Sequence, residues 1–420
     1  MDLTMEATPL QGAVEIPGSK SHTIRAVAIA ALAEGESVLR APLISEDARA
    51  AVAAFTALGA EIELGEEAWR IRGFGGEPRT PDNVIDVANS GTTLRIALGS
   101  CALLRDGVAV LTGDHQIRRR PCGPLAASLN DLGARVESTR GNGCAPFVVG
   151  GTLRGGQTTI ECKTSQYLSS LLINAPLAEG DTTIHVPLLN EAPYVGITLD
   201  WLTRQKIQLQ CDELREFHIP GGQRYRGFNC RIPADFSSAT FFLAAGALPG
   251  NKVTCVGLDM NDTQGDRAVV DYLRQFGANI QIEGDRVTVS HDDLVGCELD
   301  INATPDALPM LAVLACFARG TTRLVNVPQA RMKETDRIAV MRMELEKLGA
   351  RVEELADGLI IHESKLHGAE VDSHDDHRVV MSLAIGATQI PGKTIIHHAE
   401  AAAVTYPEFV NHLRSIMVKG

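Results

Sequence analysis

The polar residues that stand out in this chain gather in six short segments, each opening an alanine-rich or apolar run. They are Gly18-Ser19-Lys20-Ser21, Asn89-Ser90-Gly91-Thr92-Thr93, Lys163-Thr164-Ser165-Gln166, Ala234-Asp235-Phe236-Ser237-Ser238, Thr304-Pro305-Asp306 and His374-Asp375-Asp376-His377-Arg378. Taken singly, each reads as plain N-capping, because Ser, Thr, Asp and Asn accept hydrogen bonds from the free N–H groups of a first helical turn. Six together, with Lys20, Arg25, Lys163 and Arg378 in or just after them, imply more. Free N–H groups and the positive end of a helix dipole attract anions, so added cations turn such starts into sites for a small, multiply charged substrate.

Two further segments are rich in cations: Arg118-Arg119-Arg120-Pro121, and the run Arg331-Met332-Lys333-Glu334-Thr335-Asp336-Arg337. A charge run is usually a solvated face. Both runs, however, open the second helix of a repeating unit, a position from which they can face the same cleft as the first set. Arg grips carboxylate or phosphate with two N–H groups, whereas Lys beside a carboxylate suits proton transfer. His374 and His377 are spaced like metal ligands, but Arg378 would set a cation beside any metal, so no metal is expected.

The elements that must position these residues repeat. Leu-Gly-Ala-x-(Val/Ile) begins at Leu58, Leu132 and Leu348, with the variant Phe-Gly-Ala-Asn-Ile at Phe276. The period is about 70 residues, and a decayed copy falls at the end of the run from Tyr194 to Gln205. Pro407 to Ile416 would begin a sixth copy. Within each unit we read an alanine-rich helix, a short strand, an amphipathic helix ending at the Leu-Gly-Ala phrase, and strands such as Arg135 to Glu137 and Val287 to Ser290. The unit is βαβαββ, the class is α/β, and six units grouped three and three give two domains.

Composition agrees with an enzyme acting on small molecules. Hydrophobic residues make up 45% of the 420 and aromatics 4%, as in a globular α/β protein and not a disordered one. The net charge of −13 offers no global attraction to nucleic acid or anionic membrane, so neither is expected as a partner. The longest apolar runs are too short to span a bilayer and the first twenty residues lack a secretory core, which predicts a cytoplasmic protein. Nine cysteines without a C-x-x-C pair disfavour zinc and a disulfide framework.

These strings resemble the 5-enolpyruvylshikimate-3-phosphate (EPSP) synthase family. The matching residues are Pro17-Gly18-Ser19-Lys20-Ser21 with Arg25, Asn89-Ser90-Gly91-Thr92 with Arg95, Leu111 to Asp114 with Arg120-Pro121, Thr164 to Leu168, Pro305-Asp306, Lys333 to Arg337 and Asp376 to Arg378, in family order along nearly the whole chain. The resemblance implies two domains of three βαβαββ units around buried helices, closing on substrate. Chain crossings near Gly18 and Pro233 would place residues 1–18 with 233–420 in one domain and 19–232 in the other. It implies transfer of the enolpyruvyl group of phosphoenolpyruvate to the 5-hydroxyl of shikimate 3-phosphate, on the way to chorismate, by a monomer that needs no cofactor. Phosphoenolpyruvate falls to Lys20, Gly91, Arg120, Gln166, Arg337 and Arg378. Shikimate 3-phosphate falls to Ser21, Arg25, Thr164, Ser165, Gln166, Asp306, Gln329 and Lys333. Lys20, Asp306 and Glu334 carry the chemistry, with Glu334 as acid and Asp306 as base. Sensitivity to glyphosate is implied through the space at Gly91, where a methyl group would intrude on a bound anion.

The chain departs from that pattern at three places. Glu191 stands where many relatives carry a Ser that holds the 3-phosphate, Gln329 where an Asn contacts the sugar ring, and Val404 where some branches have a Lys. Either Lys163 supplies the lost contact, with Glu191 turned toward it or toward solvent, or the acceptor is shikimate-like and lacks the phosphate. Two other readings are a transferase for UDP-N-acetylglucosamine, whose loop Cys is His115 here, and a non-catalytic small-anion-binding protein.

Overall fold

An α-helix that is apolar around its whole circumference must be surrounded by protein. In a computed structural model, which describes residues 1–418, the six alanine-rich or apolar runs behave accordingly. The chain divides into two units, Lys20–Ile232, and Met1–Ser19 together with the chain from Pro233 onward. The first unit holds α1 (Lys20–Leu32), α2 (Glu46–Ala57), α3 (Gly91–Cys101), α4 (Gly123–Asp131), α5 (Ser165–Asn174) and α6 (Ala192–Arg204). Here α1 is buried from His22 to Leu32, α3 everywhere but Thr92, and α5 everywhere but Gln166. The alternate helices are amphipathic: α2 buries Ala48, Ala51, Ala54 and Phe55 on one face.

In this unit α3 and α5 are each the crossover of a parallel strand pair, since parallel neighbours cannot be joined by a hairpin. Ile85–Asp86 and Val108–Thr112 flank α3, and Gly156–Cys162 and Thr182–Leu189 flank α5. Antiparallel strands such as Phe147–Gly150 and Arg135–Ser138 complete each four-stranded sheet.

The second unit repeats the plan with α7 (Phe236–Ala247), α8 (Val269–Gln275), α9 (Leu308–Ala315), α10 (Arg337–Lys347), α11 (His377–Ala387) and α12 (Phe409–Ser415). Of these, α7, α9 and α11 are buried along their whole length. The sixth repeat is completed by the start of the chain, where Leu3–Glu6 pairs antiparallel with Lys393–His397. Pro407 to Ile416, expected to begin that repeat, instead supplies its second helix, α12.

The two crossings exchange strands. Gln11–Glu15, which precedes α1, pairs in parallel with Lys252–Val256 after α7. Asn229–Arg231, which precedes α7, pairs in parallel with Glu36–Arg40 after α1. Ser19 N–H donates to the Pro233 carbonyl (2.8 Å) and Asp235 N–H to that of Pro17 (2.9 Å). Those bonds carry Ser19 into the unit of the N-terminal strand, one residue beyond the boundary expected from sequence.

The Leu-Gly-Ala phrase is a helix stop. Gly59, Gly133, Gly277 and Gly349 all have φ between 92° and 116°, where a Cβ is unfavourable. In the third repeat the same place is held by Lys206 at φ 58°. Its N–H donates to Thr203 and that of Ile207 to Leu202, so the turn outlives the signature. Among the described residues no helix is long and apolar enough to cross a membrane.

Candidate active site

Many of the candidate residues stand at the starts of the buried helices, and the others just before or at the starts of α4 and α10. In the unit Lys20–Ile232, Lys20 opens α1 and its Nζ lies 3.2 Å from Asp47 Oδ2 in the first turn of α2. Asp47 escaped the sequence reading, although its place in an acidic helix start after Ser45 was a signal. One turn beyond Ser21, Arg25 is buried. It donates to Thr198 Oγ1 (2.8 Å), Ser169 Oγ (3.1 Å) and the carbonyls of Ser21 and Tyr194 (3.0 and 3.1 Å), tying α1 to α5 and α6. Every one of these acceptors is neutral, and burial pushes the guanidinium down to about 10.

At α3, Ser90 caps the helix by accepting from Thr93 N–H. Arg95 donates to the Gly91 carbonyl (3.1 Å) and to that of Pro121 (3.0 Å), which also accepts from Tyr167 Oη (2.6 Å). These bonds hold Arg120 against the start of α3. A Cβ on Gly91 would sit 2.5 Å from Arg95 Nη1 and 2.6 Å from Arg120 Nη1. The first groups a methyl would meet are therefore two guanidiniums of the protein, ahead of any bound anion.

The start of α5 differs from expectation. Glu191 Oε2 accepts from Thr164 Oγ1 (3.0 Å), Ser165 N–H (3.1 Å) and Ser165 Oγ (2.9 Å). The carboxylate is buried, turned neither to Lys163 nor to solvent. Lys163 is exposed, and no ion pair involves it among the described residues. Next to Ser165, the half-buried Gln166 has a side-chain carbonyl without a hydrogen-bond donor.

In the second unit the candidates form one cluster. Asp306 lies in a 3-10 turn, Pro305–Ala307, that leads into α9. Its carboxylate is 2.7 Å from Arg337 Nη1, 3.6 Å from Lys333 Nζ and 3.6 Å from Arg378 Nη2. Arg337, 1% exposed, also pairs with Glu334 (2.8 Å) and with Asp376 (2.8 Å). Burial opposes its charge, but the carboxylates of Asp376, Glu334 and Asp306 outweigh that and raise its pKa above the usual arginine value. Asp376 caps α11 by accepting from Arg378 N–H (2.9 Å), so one carboxylate sets both arginines. Arg378 Nη1 donates to the Ser237 carbonyl (2.9 Å), while its Nε has no acceptor among the described residues. Gln329, buried in the 3-10 turn Pro328–Met332, donates through Nε2 to the Asn302 carbonyl (2.9 Å), and its Oε1 has no donor among the described residues.

Such an arrangement can bind polyanions and move protons. Cations and helix starts supply charge, and carboxylates within hydrogen-bond range of cations supply acid and base. Among the described residues no cluster of His, Cys, Asp and Glu has the form of a metal site.

Six βαβαββ repeats with these groups at or just before the starts of their helices match the fold of solved enolpyruvyl transferases. The chain belongs to the EPSP synthase (3-phosphoshikimate 1-carboxyvinyltransferase) family, whose model matches residues 5–413. It is 52% identical to the 3-phosphoshikimate 1-carboxyvinyltransferase of Ruminiclostridium cellulolyticum, over 99% of this chain and 98% of that one. The enzyme of the same name from Acetivibrio thermocellus is 53% identical, over 98% and 97%. EPSP synthase from Acinetobacter baumannii superposes with a TM-score of 0.83 at 27% identity, over 100% and 98% of the two chains. The enolpyruvyl transferase NikO from Streptomyces tendae shares the fold, with a TM-score of 0.79 at 19% identity over 99% and 97%.

Proposed function

We propose that this chain transfers the enolpyruvyl group of phosphoenolpyruvate to the 5-hydroxyl of shikimate 3-phosphate and releases inorganic phosphate, without metal or organic cofactor. The observation that carries the reading is the cluster of Asp306, Lys333, Glu334, Arg337 and Arg378, in which cations and carboxylates alternate within 4 Å. Binding alone does not need an acid and a base; the reaction does.

In the addition step Glu334 protonates the methylene carbon of phosphoenolpyruvate, Asp306 takes the proton of the 5-hydroxyl, and the acceptor oxygen bonds to the central carbon. Elimination then removes a proton from the new methyl group, restores the double bond and expels phosphate through its bridging oxygen. Lys20, Arg120, Arg337 and Arg378 hold the donor's phosphate and carboxylate, with Gly91 and Gln166 beside them. Ser21, Arg25, Thr164, Ser165, Gln329 and Lys333 hold the acceptor. Glu334 is paired with Arg337 here, so acting as acid requires it to carry a proton and loosen from that arginine. The acting species is a cytoplasmic monomer.

A phosphate-release assay with phosphoenolpyruvate and, in turn, shikimate 3-phosphate, shikimate and UDP-N-acetylglucosamine tests the reading. Release is expected with shikimate 3-phosphate in preference to UDP-N-acetylglucosamine; release with UDP-N-acetylglucosamine alone, or with no acceptor, would overturn it. One observation favours a second acceptor: Glu191 occupies donors that a 3-phosphate would use.

A further inference from the structure

The donors at the start of α5 are already engaged by a carboxylate of the protein itself. A single oxygen of Glu191 collects two hydroxyls and one backbone N–H from Thr164 and Ser165, at the positive end of a ten-residue helix. Glu191 stands at the N-cap of α6 with φ 58°, yet its side chain makes no cap bond there. Its left-handed backbone and its carboxylate thus serve the neighbouring helix and not its own. Three donors and a helix dipole stabilise an anion whether it comes from a side chain or from a ligand.

We propose that Glu191 is an internal occupant of the acceptor's phosphate pocket, displaced when a phosphorylated acceptor binds, and that it sets how strongly the enzyme prefers phosphorylated over unphosphorylated acceptors. The proposal rests on the assignment of Thr164 and Ser165 to the acceptor phosphate. A phosphate monoester brings about −1.5 to −2 charges and three acceptor oxygens, so it cannot share the three donors with a carboxylate and must drive it out. The surroundings favour that exchange. Among the described residues Arg25, buried, is bonded only to neutral oxygens and has no carboxylate partner, and Lys163 flanks Thr164 without an ion pair. An acceptor that lacks the phosphate has nothing to compete with, and Glu191 stays in place and fills the gap. The displacement lowers affinity for the phosphorylated acceptor and leaves the unphosphorylated one nearly untouched.

Calorimetric titration of shikimate 3-phosphate and of shikimate into the wild type, Glu191→Ser and Glu191→Gln tests this. The serine variant removes the competing carboxylate, and the glutamine variant keeps its size and hydrogen bonding while removing the charge. Affinity for shikimate 3-phosphate is expected to rise roughly tenfold or more in Glu191→Ser and by a smaller factor in Glu191→Gln, the scale of one charge-assisted hydrogen bond regained. Affinity for shikimate should hold or fall. An unchanged ratio of the two affinities in both variants, or weaker binding of shikimate 3-phosphate to Glu191→Ser, would overturn the proposal. A crystal of the wild type with shikimate 3-phosphate gives a readout that needs no variant: the Glu191 carboxylate is expected away from Thr164 and Ser165, and its retention there with the phosphate bound elsewhere would equally refute the displacement. A wild type that binds as expected but turns over neither acceptor defeats the functional reading and leaves this inference standing.

Discussion

Asp376 shows how much one buried carboxylate organises. It pairs with Arg337, both are almost fully buried, and the same carboxylate caps α11 beneath Arg378. Removing it leaves the buried Arg337 only the partly exposed Asp306 and Glu334, and takes the cap from α11, so Asp376→Ala should cost about 3 kcal/mol of stability by denaturant unfolding. Glu334 belongs to the same cluster in a different role. Glu334→Gln keeps the hydrogen-bonding shape but removes the proposed acid, and turnover should fall roughly 100-fold or more with the fold intact by circular dichroism. Near-wild-type turnover would reassign the acid. Gly91→Ala would press a methyl on the guanidiniums of Arg95 and Arg120. Weaker inhibition by glyphosate is therefore expected together with a higher KM for phosphoenolpyruvate, because one of the shifted groups is Arg120, which is proposed to bind the donor; inhibition unchanged from wild type would refute the placement. Residue types and order made these candidates legible. Asp47 was not, and Glu191 stood out as a residue but not in its orientation, because their partners lie 27 and 26 residues away in the chain and sequence spacing does not reveal which way a buried carboxylate turns.

The helices were legible wherever their chemistry is local. Apolar runs without a polar face marked the inner helices, and Gly after the last apolar residue marked the stops. Where tertiary context overrode the local pattern the reading slipped: Asp306 sits in a 3-10 turn before α9 and not in its first α-turn, since Pro305 and Pro309 deprive that stretch of two N–H donors. The third repeat supplies a test of the stop signal. Lys206 is exposed and occupies a left-handed position that its sister repeats give to Gly. Relief of that conformation should make Lys206→Gly more stable by about 0.5 to 1 kcal/mol, measured by urea unfolding. A loss of stability would mean the side chain has a role that its exposure hides.

At the scale of the whole chain, a 70-residue rhythm revealed six repeats, but it could not reveal how their ends are exchanged. Gln11–Glu15 and Asn229–Arg231 each precede one inner helix and pair with the strand that follows the other; the expectation that the N-terminal strand belongs with the C-terminal half comes from the family resemblance and not from the period. Strand partners so far apart in sequence leave no local signal. The exchange divides the candidate residues, with Lys20, Arg25, Arg120 and Thr164 on one unit and Asp306, Glu334, Arg337 and Arg378 on the other. Addition followed by elimination at the central carbon of phosphoenolpyruvate is the claim that gives all of them a purpose, and it fixes which bond breaks. Phosphoenolpyruvate labelled with oxygen-18 in its bridging position, incubated with the enzyme and shikimate 3-phosphate, decides the matter by mass spectrometry of the products. The label should appear in the released phosphate, and the acceptor should gain an unlabelled enolpyruvyl group. Label retained in the three-carbon product would mean cleavage at phosphorus and contradict enolpyruvyl transfer.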